Sequence, residues 1–234
     1  MLGAMQRKGR YTIMIENNYV KQINKILNID ESYKATDRMW EIIYNRNLRE
    51  QKMRELLKLF DYDVSFDWFK DYFEQEQAER KTKKQDFTPQ CITKLLSKLV
   101  GHSSKNYDVC CGTGGITITK WYDDMTSKTV FEYSPSDYMY YCEELSDRAI
   151  PFLLFNLAVR GMNALVIQCD VLTRQSKGVW FIFNEEDNYL GFSTINLMPY
   201  NSEVEKEFNI NFIEQKYKSL IESKEPILED NNEI

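Results

Sequence analysis

The segment YDVCCGTGG, residues 107–115, joins an apolar, strand-like run to a cluster of glycines, with Asp108 near the junction. Gly112, Gly114 and Gly115 let the backbone turn sharply there. They also let a ligand approach main-chain N–H groups at the start of a helix. Two further acids stand at comparable places: Glu144 ends a second apolar run and Asp170 ends a third. In a doubly wound sheet, an acid at the end of the second strand faces ribose hydroxyls, and one at the end of the third can face the edge of a base. A helix cap for Glu144 and a turn residue for Asp170 are the structural alternatives. Taken together, three successive strand ends favour a nucleoside site at the carboxyl edge of a sheet. The glycine spacing matches neither the six-residue dinucleotide fingerprint nor a P-loop, because no Gly-Lys-Ser/Thr follows.

Strands and helices must hold those ends in place. Thr88-Pro89 reads as a helix start, with Thr as cap and Pro at the first helical position. Ile92, Leu95, Leu96 and Leu99 give that helix an apolar face, and Gly101 ends it. Strands are predicted at 107–110, 138–143, 163–168 and 178–183. Helices are predicted after the glycines and at 145–160, and the alternation argues for a parallel sheet covered by helices. Residues 190–198 read as one more strand, and Asn201 or Ser202 caps a final helix to about residue 223.

Residues 16–82 read as helices. Asp30 or Ser32 caps a segment with Met39, Trp40, Ile42 and Ile43. Residues 46–60 repeat Leu48, Met53, Leu56, Leu57 and Phe60, and Ser65 caps a stretch with Trp68, Phe69, Tyr72 and Phe73. An aromatic stripe at helical spacing fits a core better than a base-stacking platform. The basic cluster Arg80, Lys81, Lys83 and Lys84 falls at the boundary, as a solvated linker or as a phosphate contact. The predicted organisation is a helical region at 1–84, an α/β domain at 85–223 and an acidic flexible tail at 224–234.

Composition narrows the chemistry. The chain of 234 residues is 43% apolar and carries a net charge of −6, which argues against a nucleic-acid coat or a polybasic membrane binder. It has one histidine, His102, too few for a multi-His metal site, and most triad hydrolases are disfavoured. The cysteines are Cys91, Cys110, Cys111, Cys142 and Cys169, an odd number without CxxC spacing. They read as reduced, small apolar residues of a cytoplasmic protein. The apolar stretch Tyr11 to Ile15 is far shorter than the roughly 20 residues of a membrane span.

Four motifs carry a resemblance. QDFTPQ at 85–90 resembles the QxFTP motif of N6-adenine DNA methyltransferases of the type I restriction-modification kind, in their modification subunit. YDVCCGTGG resembles their DPxCGTGG motif, with Val109 where Pro is usual. CEELSDRA at 142–149 is similar to the acidic second motif. FNLAVRGMNALVIQCDVL at 155–172 is similar to NLxxRGMxxxxxxGDxL, with Cys169 in place of Gly. The resemblance implies a truncated class I, Rossmann-like α/β methyltransferase sheet after a small helical N-terminal region, with S-adenosyl-L-methionine as cofactor. Phe87, Thr88 and Pro89 would cover its methionine end. Asp108, Gly112, Thr113, Gly114 and Gly115 would surround its amino-acid moiety, Glu144 would accept from the ribose, and Asp170 would accept from the adenine amine. Shortened relatives of this kind are expected in bacteriophages and mobile elements.

The family's acceptor motif, NPPF or NPPY, holds the amine of a flipped adenine through its Asn and stacks an aromatic ring on the base. It does not occur in this sequence. Asn184 in VWFIFNEED has the expected context, but acids follow it. NLMPY at 196–200 keeps Pro199 and Tyr200 but puts Leu197 at the Asn position, with Asn196 one residue out of register. Asn184 and Tyr200 are the catalytic candidates. The resemblance therefore allows a cofactor-binding, catalytically impaired protein that acts through a protein partner, either a recognition subunit or a regulator. It also allows an active subunit that needs a recognition partner. DNA is the expected substrate or ligand, although the cofactor motifs do not name the methyl acceptor, and RNA or a small molecule is a third class.

Overall fold

The computed structural model describes residues 19–70, 72–73 and 88–223. Phe87, the basic cluster at 80–84 and the tail at 224–234 lie outside the described residues. The chain divides into two compact units, Met1–Phe87 and Thr88–Ile234, against a predicted boundary after residue 84.

In the first unit, helical residues 19–27 precede α1 (Ala35–Ile43) and α2 (Arg46–Leu59). Asn45 caps α2 by accepting the Leu48 N–H, and a single 3-10 turn at Ser32–Lys34, with no side-chain cap, leads into α1. Met39, Ile42, Ile43, Met53 and Leu56 are buried, and so are Trp68, Phe69, Tyr72 and Phe73. The aromatic stripe is therefore core, as its helical spacing implies.

The second unit is built on a six-stranded sheet. Helix α3 (Gln90–Val100) leads to β1 (Lys105–Val109). Helix α4 (Gly115–Thr126) connects β1 to β2 (Met139–Glu144), and α5 (Ile150–Val159) connects β2 to β3 (Ala164–Cys169). The chain continues through β4 (Gln175–Phe183), β5 (Thr194–Leu197), α6 (Ser202–Phe208) and β6 (Asn211–Phe212). The strand order is β1-β2-β3-β4-β5, with β6 beside β4. Every residue of α5 is buried. A second core on the other face gathers Leu165, Ile167, Val179, Val204 and Ile210.

The fold departs from an all-parallel sheet at β4. Strands β1, β2 and β3 are parallel, but β4 is antiparallel to β3 and β5 is antiparallel to β4. The cause is connection length. A parallel return needs a crossover of a dozen or more residues, whereas the turn between Cys169 and Gln175 is a tight one, closed by the Asp170 N–H to the Gln175 carbonyl. The last helix also stops early, at Phe208 rather than near residue 223. Asn209 adopts φ +49 there, which ends the helix and lets β6 pair with β4.

Candidate functional site

The glycine loop begins where β1 ends. Cys110 takes a left-handed conformation at φ +64, Gly112 follows at +61 and Gly114 at +100. A side chain at Gly114 would be strained, and its Cβ would lie 3.0 Å from Leu153 Cδ1. The loop is tied from outside. Gly112 N–H donates to Glu144 Oε2 at 2.7 Å, while Ser146 N–H donates to Oε1 at 2.7 Å. Asn156 Nδ2 donates to the Thr113 carbonyl at 2.8 Å, and the buried Arg160 donates in turn to Asn156 Oδ1 at 3.0 Å. Asn156 and Arg160 lie in the FNLAVRG segment, but their part in holding the loop could not be read from it. Their burial and 43-residue separation from Thr113 exist only in the fold.

Asp108 faces α4, where Thr117 Oγ1 donates to its Oδ2 at 2.7 Å. Burial pushes its carboxyl above the ordinary range, against the Thr117 hydroxyl and N–H, which lower it. Helices α3 and α4 touch through Thr119–Thr93 and Ser97–Asp123 hydrogen bonds at 3.1 and 3.0 Å. Both partners advance by four residues, so the helices run parallel. One turn back, Pro89 stands level with Gly115, and Thr88-Pro89 is thereby brought towards the glycine loop. Pro89, not Thr88, is the N-cap of α3, so the helix starts one residue later than the sequence implies.

Asp170 follows β3, beyond the same edge of the sheet as Glu144. Its Oδ1 accepts the N–H groups of Leu172 and Thr173 at 2.8 and 3.2 Å, an Asx-type turn. Those two N–H groups, Thr173 first, hold its carboxyl below the usual range. Arg174 then clamps the turn to β2 with a bidentate pair to Glu143 at 2.7 and 2.9 Å.

The acceptor candidates lie elsewhere. Because β4 runs against β3, its end at Phe183 lies beside Ala164, at the amino edge of the parallel strands. Asn184 is therefore at the opposite end of the sheet from the glycine loop. It is 4% exposed, and its side chain is spent on backbone: Nδ2 donates to Gly161 O and Asn188 O at 2.9 and 2.8 Å, and Oδ1 accepts from Asn188 N–H at 3.1 Å. Tyr200 follows β5 at the correct edge, but four strand steps from β1, about 19 Å at about 4.8 Å per step. Its hydroxyl donates to the Lys177 carbonyl at 2.8 Å. Asn196 is buried and bound to Glu222 and Ser223. The fold thus brings Asp108, the glycines, Glu144 and Asp170 to one edge, but neither Asn184 nor Tyr200 to the glycine loop.

The residues at this edge suit an adenosyl cofactor. Each Glu144 oxygen accepts one loop N–H and keeps acceptor capacity for a hydroxyl. Among the described residues, no cluster of three or more metal-binding side chains occurs, and no helix is long and apolar enough to cross a membrane.

Residues 62–212 match the family model for N-6 DNA methylase. No curated protein and no solved structure matches. The family match runs from just after α2 to β6 and takes in the glycine loop, Glu144 and Asp170, so the chain belongs to the N-6 DNA methylase family.

Proposed function

We propose that this methyltransferase-like protein binds S-adenosyl-L-methionine at its glycine loop, does not itself transfer the methyl group, and acts on or near DNA through a protein partner. Residues 112–115 would receive the amino-acid end of the cofactor, with Thr88 and Pro89 beside it. Glu144 would accept from the ribose hydroxyls while still bracing the loop, and Asp170 would lie at the adenine edge. When bound, the cofactor supplies an electrophilic sulfonium methyl. In-line attack on such a methyl needs the acceptor amine held in place rather than a strong base.

One observation carries the impaired reading: Asn184 has all its side-chain polar atoms engaged by backbone at the far edge of the sheet. An amide so engaged cannot hold a flipped adenine beside the glycine loop. Calorimetry with S-adenosylmethionine, paired with tritiated-methyl transfer to unmethylated DNA, tests the proposal. Binding without transfer is expected. Transfer by the isolated chain would overturn the impaired reading in favour of an active subunit, and absence of binding would remove the cofactor assignment.

A further inference from the structure

Glu144 joins two loops, accepting the Gly112 N–H from one and the Ser146 N–H from the other. Each loop is also held by a buried side-chain amide. On the glycine loop it is Asn156, whose Nδ2 donates to the Thr113 carbonyl at 2.8 Å. On the loop after β2 it is Gln168, whose Nε2 donates to the Leu145 carbonyl at 3.3 Å and to Asp147 Oδ1 at 2.5 Å. Asn156 and Gln168 are both fully buried. Gln168 stands beside Glu144 in the β2–β3 register.

Chemistry fixes which way each amide points. A guanidinium only donates, and Arg160 donates to Asn156 Oδ1 at 3.0 Å. The Thr113 carbonyl only accepts, so Nδ2 must face it. In Gln168, Nε2 must face the Leu145 carbonyl and the Asp147 carboxylate, which only accept, so Oε1 accepts from the Tyr217 hydroxyl. Tyr217 is a half-buried residue of the segment that follows β6.

On the glycine loop, the outcome is two pinned peptide planes. The Thr113–Gly114 peptide has its carbonyl on Asn156 and its N–H on the Cys111 carbonyl at 2.9 Å. The Cys111–Gly112 peptide has its carbonyl on the Gly114 N–H and its N–H on Glu144. The left-handed turns at Gly112 and Gly114 are therefore set before any ligand arrives. Buried hydrogen bonds behind the contacting groups preorganise a site in this way.

We infer that Asn156 and Gln168 are positioning residues of the cofactor site: Asn156 for the amino-acid end, and Gln168, steadied by Tyr217, for the nucleoside end. The inference rests on the cofactor reading given above. It also gives the segment after β6 a part in binding, through one hydroxyl.

Isosteric acids test it. Asn156→Asp and Gln168→Glu keep the oxygen that Arg160 or Tyr217 bonds, and they turn an oxygen instead of an N–H towards the loop carbonyl. Calorimetry on the full chain, well below each variant's Tm and with far-ultraviolet circular dichroism unchanged, uses two probes. One is S-adenosylmethionine and the other is 5′-methylthioadenosine, which lacks the amino-acid end. Asn156→Asp is expected to weaken S-adenosylmethionine by about tenfold or more, and methylthioadenosine by less than about threefold. Gln168→Glu is expected to weaken both by about tenfold. Tyr217→Phe removes a single hydroxyl and is expected to weaken both by about threefold, which keeps the test decisive should Gln168→Glu fail to fold. A purely structural role would lower Tm and leave these affinities alone. Wild-type affinity in every folded variant, or equal losses of both probes in Asn156→Asp, would overturn the inference. Absence of S-adenosylmethionine binding by the wild-type chain would instead overturn the cofactor reading, and this inference with it.

Discussion

Two loops at opposite ends of the sheet are each closed by one buried side chain that bonds backbone. At the carboxyl edge, the Glu144 carboxylate takes N–H groups from Gly112 and Ser146. At the amino edge, the Asn184 amide takes the Asn188 N–H and gives both its hydrogens to Gly161 O and Asn188 O. A carboxylate has acceptor capacity left after two such bonds and stands at the glycine loop, whereas the Asn184 amide has given both its hydrogens and its oxygen is buried at the other end of the sheet. The first loop is braced yet able to take a ligand; the second is a staple. The position that resembles the family's acceptor Asn in sequence context holds backbone at the amino edge in this fold.

The largest effect is expected at Gly161. It adopts φ +63, and a Cβ there would lie 2.5 Å from Gly191 O and 2.9 Å from Asn184 Nδ2. Gly161→Ala should cost about 3 kcal/mol, from backbone strain and a displaced amide, and urea denaturation would measure it. Next is Asn184→Ala, which strands buried backbone groups of Gly161 and Asn188. A loss of about 2 kcal/mol in the same denaturation is expected. Glu144→Gln keeps one acceptor oxygen for the loop and should lose less stability than Glu144→Ala, in thermal melts of the two variants.

A smaller effect sharpens the electrostatics of the first loop. Burial raises the Asp108 carboxyl in the folded state, so the native protein holds that proton more tightly than the unfolded chain. Its contribution is fully present below the unfolded value of about 3.9 and is lost as pH rises through the folded value. Asp108→Asn should therefore raise Tm at pH 7 and leave it nearly unchanged at pH 3. The smallest effect is in thiol reactivity. Cys91 and Cys110 are exposed, while Cys111, Cys142 and Cys169 are buried, with Cys169 pushed up to about 12 by burial first. Native protein should react with Ellman's reagent at two thiols, against five after denaturation.

The carboxyl edge was largely legible because its signals are local. Glycines mark the turn after β1, and Glu144 and Asp170 end apolar runs. Strand direction was not legible. The runs that became β3 and β4 look the same whether they are parallel or antiparallel, and only the length of the turn at 170–174 decides it. That one reversal carries Asn184 to the other end of the sheet. The apolar stripe of α3 was also visible, but not that it points outward. Its inward contacts are the hydroxyls of Thr93 and Ser97, which hydropathy does not weigh.

The most direct test of the division between a ligand loop and a staple is calorimetric titration of S-adenosylmethionine into Glu144→Ala and Asn184→Ala, each checked as folded at the temperature used. Glu144→Ala is expected to weaken binding by about 1–3 kcal/mol through lost charged hydrogen bonds, and Asn184→Ala to bind like wild type. Unchanged affinity in Glu144→Ala together with lost affinity in Asn184→Ala would contradict that division.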